Sequence, residues 1–88
     1  MRYRLLIDID VFEYLQTISL SKRRRLFTHL RRIEESPVSL SDYIDHDELG
    51  RQFDVSLFEG IAIYYWIDDA DRQIKVLQLI PADTEAPD

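Results

Sequence analysis

Eighty-eight residues suffice for one domain with one core, and a composition 45% hydrophobic and 11% aromatic excludes a globally disordered chain. With no cysteine, disulfide scaffolds and cysteine-ligated metal sites are excluded, and a formal net charge of -6 opposes non-specific binding to nucleic-acid phosphates. No apolar run approaches the roughly 18 residues of a membrane span and the N-terminus lacks a signal-peptide core, so a soluble, cytoplasmic protein is expected.

In chain order, Tyr3 to Ile7 (YRLLI) reads as a first strand. Asp10 with Glu13 three residues on resembles a capping box, and Val11, Phe12, Leu15 and Ile18 follow at helical spacing, predicting a short helix over 11–18. Ser21 is a plausible N-cap for a second helix reaching Glu35, with Leu26, Leu30 and Ile33 as its core stripe and Phe27 beside it. Pro37 ends that helix.

Residues 36–50 (SPVSLSDYIDHDELG) have no clean period and read as a loop, with one helical turn around Asp42–Ile44. Gln52 to Leu57 alternate, Phe53, Val55 and Leu57 on one face and Gln52, Asp54 and Ser56 on the other. A turn at Phe58-Glu59-Gly60 leads into the apolar strand Ile61–Ile67, and an acidic turn over 68–72 leads into the last strand, Ile74–Ile80. Pro81 stops it, and 82–88 is expected to be a flexible tail to a single domain of 1–81. The order is β-α-α-β-β-β: an α+β, two-layer fold with a helical hairpin packed on a small, mainly antiparallel sheet.

Charge is unevenly spread. Residues 22–35 carry six basic side chains against Glu34 and Glu35, a local +4, whereas 36–88 carry twelve acids against three bases, a local -9. At 100° per residue Arg24, Arg25, Arg31 and Arg32 form one stripe opposite the apolar residues of the second helix. Such a stripe is either a solvated face or a docking surface for an acidic partner or for nucleic acid. His46, in Asp45-His46-Asp47-Glu48, lacks the separated spacing of a metal site and reads as solvated loop, and no metal or other cofactor is expected. His29 reads as an exposed or boundary residue. An ion pair with Asp47 or Glu48 is the main expectation for Arg51.

The element order, with Tyr3-Arg4-Leu5, Glu35-Ser36-Pro37, Leu49-Gly50-Arg51, Gly60 to Asp69 and Ile74-Lys75-Val76-Leu77, resembles the RelE/ParE superfamily of type II toxin–antitoxin toxins over nearly the whole chain. The resemblance implies a toxin, of the kind also associated with plasmid stabilisation, neutralised by an antitoxin segment that wraps it. RelE-type members cut ribosome-bound mRNA without a metal, using cationic and acid–base side chains on the open sheet face. ParE-type members act on DNA gyrase.

Carried over by position, the nuclease arginine of the central strand falls on Ala62, the basic residues of the preceding strand on Asp54 and Ser56, and the terminal basic and tyrosine residues have no counterpart in 81–88. Methyl, carboxylate and hydroxyl groups cannot stabilise a dianionic phosphorane, and Asp54 would repel a phosphate, so RNA cleavage is disfavoured. Protein binding to an antitoxin, and to a gyrase-type or ribosomal target, is the expected activity, with direct nucleic-acid contact disfavoured. The expected partner-binding residues are Arg24, Arg25, Arg31 and Arg32 of the stripe, with Tyr64 and Trp66 on the open face. Two alternatives stay open: a non-toxic binding module that kept the fold, and an mRNA interferase using Arg51, His46 and Tyr65.

Overall fold

The computed structural model describes residues 3–81; the tail expected over 82–88 lies outside them. The chain begins with strand β1 (Arg4–Ile7) and two helices, α1 (Ile9–Leu15) and α2 (Leu20–Glu35). Helix α1 starts and ends earlier than the Asp10–Glu13 pairing implies. Its N-cap is Asp8, which makes no side-chain capping bond, and the Asp8 amide donates instead to the Val76 carbonyl at 3.1 Å. Tertiary attachment, not a local cap, places this helix.

Ser19 rather than Ser21 caps α2, its hydroxyl accepting from the Lys22 amide at 3.1 Å. Leu26, Leu30 and Ile33 are fully buried, as their spacing predicts, and each contributes about 1.5–3 kcal/mol by leaving water. Arg23 turns back onto α1, donating to the carbonyls of Leu15 at 2.9 Å and Ile18 at 3.4 Å. One cation of the Lys22–Arg25 run thus satisfies orphan acceptors at a helix end.

Four strands follow: β2 (Tyr43–His46), β3 (Gln52–Phe58), β4 (Ile61–Asp68) and β5 (Gln73–Pro81). The sheet order is β1-β5-β4-β3-β2, with β1 parallel to β5 and the other pairs antiparallel. The order is therefore β-α-α-β-β-β-β, and the α+β two-layer class is as expected. Strand β2 corrects the reading of 36–50 as a loop with a helical turn at Asp42–Ile44. All four of its residues are exposed, so no apolar alternation marks it; pairing with β3 makes it a strand. Beyond its end, the Asp42 carboxylate accepts from the Leu57 amide at 2.7 Å, continuing the satisfaction of β3.

The β3–β4 connection is a two-residue turn with positive φ at both Glu59 (47°) and Gly60 (79°), the geometry that matches the twist of a tight hairpin. Arg25 of α2 grips Glu59 through two hydrogen bonds of 2.8 and 2.9 Å, holding the turn against the helix layer. In the β4–β5 pair, Tyr65 faces Val76 while Ile63 faces Leu79, so β5 spends three residues where β4 spends two. The bulge lets Val76 and Leu79 both point at the helices although strict alternation would send them to opposite faces. The core is Val11, Leu15, Leu26, Leu30, Ile33, Ile61, Ile63, Tyr65, Ile74, Val76 and Leu79. Among the described residues no helix is long and apolar enough to cross a membrane.

Candidate functional site

Both helices lie on one face of the sheet, so among the described residues no helix covers the other, the open face. The registers place Tyr43, Val55, Tyr64 and Gln78 in one cross-strand row of that face, and Leu57, Ala62 and Ile80 in a second. Trp66 pairs with Lys75, and Lys75 with Leu6, in a third. Exposure agrees: Trp66 is 44% and Leu57 49% exposed. Val55 and Ala62 lie on this same face and are buried, Val55 between Tyr43 and Tyr64 in its cross-strand row and Ala62 between Leu57 and Ile80.

This reverses the simplest reading of β3. Its apolar set, Phe53, Val55 and Leu57, faces away from the helices, and Asp54, Ser56 and Phe58 face toward them. The positional carry-over onto Asp54 and Ser56 is corrected accordingly: the β3 residues on the open face are Phe53, Val55 and Leu57, none of them charged. Beside them a groove of about 510 Å³ is lined by Arg51, Gln52, Phe53, Trp66, Lys75 and Leu77.

The groove's cations are engaged. Arg51 Nε lies 2.7 Å from Asp47 Oδ2, the pairing expected from the sequence. Lys75 Nζ lies 3.5 Å from Asp68 Oδ2 and 4.8 Å from the centre of the Trp66 ring. Tyr64 donates to Asp45 at 3.5 Å, and burial raises its pKa above the ordinary phenol value. The surface is aromatic and close to charge-balanced, suited to apolar contact rather than to gathering phosphates.

The structure does not bring Arg51, His46 and Tyr65 together. Arg51 and His46 are exposed at the β2–β3 end, His46 paired in register with Gln52. Tyr65 is fully buried on the helix side, its hydroxyl donating to the Pro37 carbonyl at 2.6 Å, and burial raises its pKa well above the ordinary value. A phenol so placed is a core anchor. Among the described residues no cluster of three or more His, Cys, Asp or Glu has metal-holding geometry.

The arginine stripe divides in two. Arg25 is held by Glu59 and by the Ser21 hydroxyl, and Arg31 pairs with Glu34 at 3.0 Å. Among the described residues Arg24 and Arg32 have no acidic partner within ion-pair distance, and both are exposed.

Sequence reasoning also missed a buried polar pair. His29 Nε2 lies 2.8 Å from the Ser56 hydroxyl, and its ring stacks on Phe58 with centroids 4.7 Å apart. The available signal was spacing, since His29 falls three residues after Leu26 on the buried stripe. Burial, reinforced by Arg32 and opposed by Asp42, lowers the His29 pKa below 6.5. Arg25 and Glu59 complete the surrounding charges, and Arg25 keeps Glu59 ionised below its usual range.

The folded chain thus binds the His29 proton less readily than the unfolded chain. Stability is full above the unfolded imidazole value of about 6.5 and declines as pH falls below it. Urea unfolding at pH 7.5 and 5.5 should show this loss in the wild type and a smaller loss in the double variant His29→Leu/Ser56→Ala. An unchanged pH difference would contradict the assignment.

No protein-family model matches the sequence, and a search of curated proteins finds no significant match. Solved structures do match. A chain of the archaeal RelE–RelB complex from Pyrococcus horikoshii superposes with a TM-score of 0.80 at 23% identity, over 97% of this chain and 100% of that one. An arginine-to-alanine double mutant of E. coli toxin RelE in the free state gives 0.66 at 18% identity, over 94% of this chain and 86% of that one. The helical hairpin on a five-stranded, mostly antiparallel sheet is therefore the fold of the RelE toxins.

Proposed function

We propose that this protein is the toxin-family member of a type II toxin–antitoxin module and that it acts by binding proteins rather than by cleaving RNA. The observation that carries this reading is the open face. Where RNA cleavage demands unpaired cations and a mobile proton, the central positions hold Phe53, Val55, Leu57, Ala62, Tyr64 and Trp66, and the nearby Arg51 and Lys75 are paired. The fold shared with a toxin solved as a RelE–RelB complex supports an antitoxin as one partner. A gyrase-type protein target is the second partner of this reading.

Growth decides the first half. Strong expression should arrest it, and co-expression of the protein encoded by the adjacent reading frame should relieve the arrest; unimpeded growth overturns the toxin reading in favour of a non-toxic binding module. Incubation with translating ribosomes and mRNA decides the second half. Uncut message is expected, and cleavage abolished by Arg51→Ala would overturn the protein-binding mechanism.

The divided arginine stripe gives a finer expectation. The Arg24→Glu/Arg32→Glu variant should weaken antitoxin binding about tenfold at low salt, and less at 0.5 M salt, because exposed charges are screened. Arg31→Glu, whose wild-type charge is already matched by Glu34, should weaken it less. Titration calorimetry at two ionic strengths reads both.

A further inference from the structure

On the helix side of the sheet, beyond the C-terminal end of α2, the helices stop short of β2 and leave a second groove. It measures about 380 Å³ and is lined in part by Tyr3, Val38, Ile44, Asp54, Ile67 and Asp69. Its floor comes from β2, β3 and β4, through the Ile44–Asp54 pair and Ile67. Its walls come from the segment before β1, the turn after α2 and the turn after β4. The open-face groove lies on the opposite side of the sheet, and Gln52 and Trp66 line both.

Two features of this groove are left without a partner. Its apolar walls are turned outward, with Val38 74% and Ile44 51% exposed. Its carboxylates lack cations: among the described residues Asp54, half-buried, makes neither an ion pair nor a side-chain hydrogen bond, and Asp69 is met only by the Tyr3 hydroxyl at 2.5 Å. Arg72 does not serve as the missing cation. Its guanidinium lies over the Tyr3 ring, 4.8 Å from the centroid, and makes no ion pair with Asp69.

We propose that this groove docks a protein segment in which a lysine or arginine is flanked by apolar residues. The basic group would enter between half-buried Asp54 and exposed Asp69, where a charge-assisted hydrogen bond to the Asp54 carboxylate is stronger than one on an open surface. The flanking apolar side chains would cover Val38 and Ile44. A surface bearing two unpaired carboxylates repels a nucleic-acid backbone, which is why the occupant is a peptide segment. The inference rests on Val38, Ile44, Asp54 and Asp69, none of which lines the open-face groove, although Gln52 and Trp66 line both.

The test is an amide chemical-shift titration of the full chain with two blocked tripeptides, acetyl-Leu-Arg-Leu-amide and acetyl-Leu-Glu-Leu-amide. The arginine peptide should shift the amides of Ile44, Asp54, Ile67 and Asp69 saturably, and the glutamate peptide should bind at least tenfold more weakly. The Asp54→Asn/Asp69→Asn variant, with its spectrum still dispersed, should lose at least tenfold in affinity for the arginine peptide. Equal binding of the two peptides overturns the proposal without any variant being needed. So do shifts confined to Phe53, Lys75 and Leu77 of the open-face groove, or a short oligouridylate that saturates the same amides as the arginine peptide.

Discussion

Truncation of Tyr65 to alanine is expected to lower the unfolding free energy by about 3–5 kcal/mol, against about 1 kcal/mol for Tyr65→Phe. The large value follows from position: Tyr65 is the largest fully buried side chain, packed with Ile63 and Ile67 of its own face against the helix layer. The small value is the net worth of one hydroxyl donating to the Pro37 carbonyl. Small domains have only about 5–15 kcal/mol in total, so Tyr65→Ala should be mostly unfolded in moderate urea. A Tyr65→Ala variant within 1 kcal/mol of wild type would contradict the buried placement. Tyr65→Phe also separates core from chemistry, because a folded variant that lost an RNA-cleaving activity would return the phenol to the mechanism.

The second large effect is expected at the open face. Phe53→Ala combined with Trp66→Ala should reduce affinity for the antitoxin by about 2 kcal/mol or more, roughly a 30-fold rise in Kd, since exposed aromatic anchors dominate protein interfaces. Stability should fall by no more than about 3 kcal/mol, because Trp66 is 44% exposed and Phe53 is incompletely buried. Calorimetric binding paired with urea unfolding measures both quantities on one preparation. Loss of binding in proportion to loss of fold would remove the open face as the contact surface, and full binding by a stable double variant would do the same.

Which side of β3 is which could not be decided from that strand alone. Phe53, Val55 and Leu57 alternate cleanly, and an isolated strand of this pattern turns its apolar face to a core. The helices nevertheless cover the face carrying Asp54, Ser56 and Phe58. The neighbour decides: β4 buries Ile61, Ile63 and Tyr65 under the helices, and antiparallel register then carries Ser56 and Phe58 to the same side. Ser56 is tolerated there because His29 reaches it. The apolar set left outside forms the candidate binding surface.

Much else was legible. The core stripe of α2, the turns at Glu59-Gly60 and 68–72, the three-stranded meander and the Arg51–Asp47 pair all follow from spacing, turn chemistry and near neighbours in the chain. These are local interactions, and local interactions are written into consecutive residues. The resemblance to the RelE/ParE superfamily likewise rested on the order of such elements.

Only the tertiary structure decided the rest. Strand β2 exists because β3 offers it a ladder, α1 begins where Asp8 meets Val76, and the arginine stripe splits because Glu59 reaches Arg25 across 34 residues. Each depends on a partner distant in sequence whose location no period reveals. By itself the sequence determined the α+β class, the buried helix stripe and the absence of cysteine chemistry. Packing determined which face of the sheet stays open, because burial of a two-sided apolar sheet depends on which side the helices occupy.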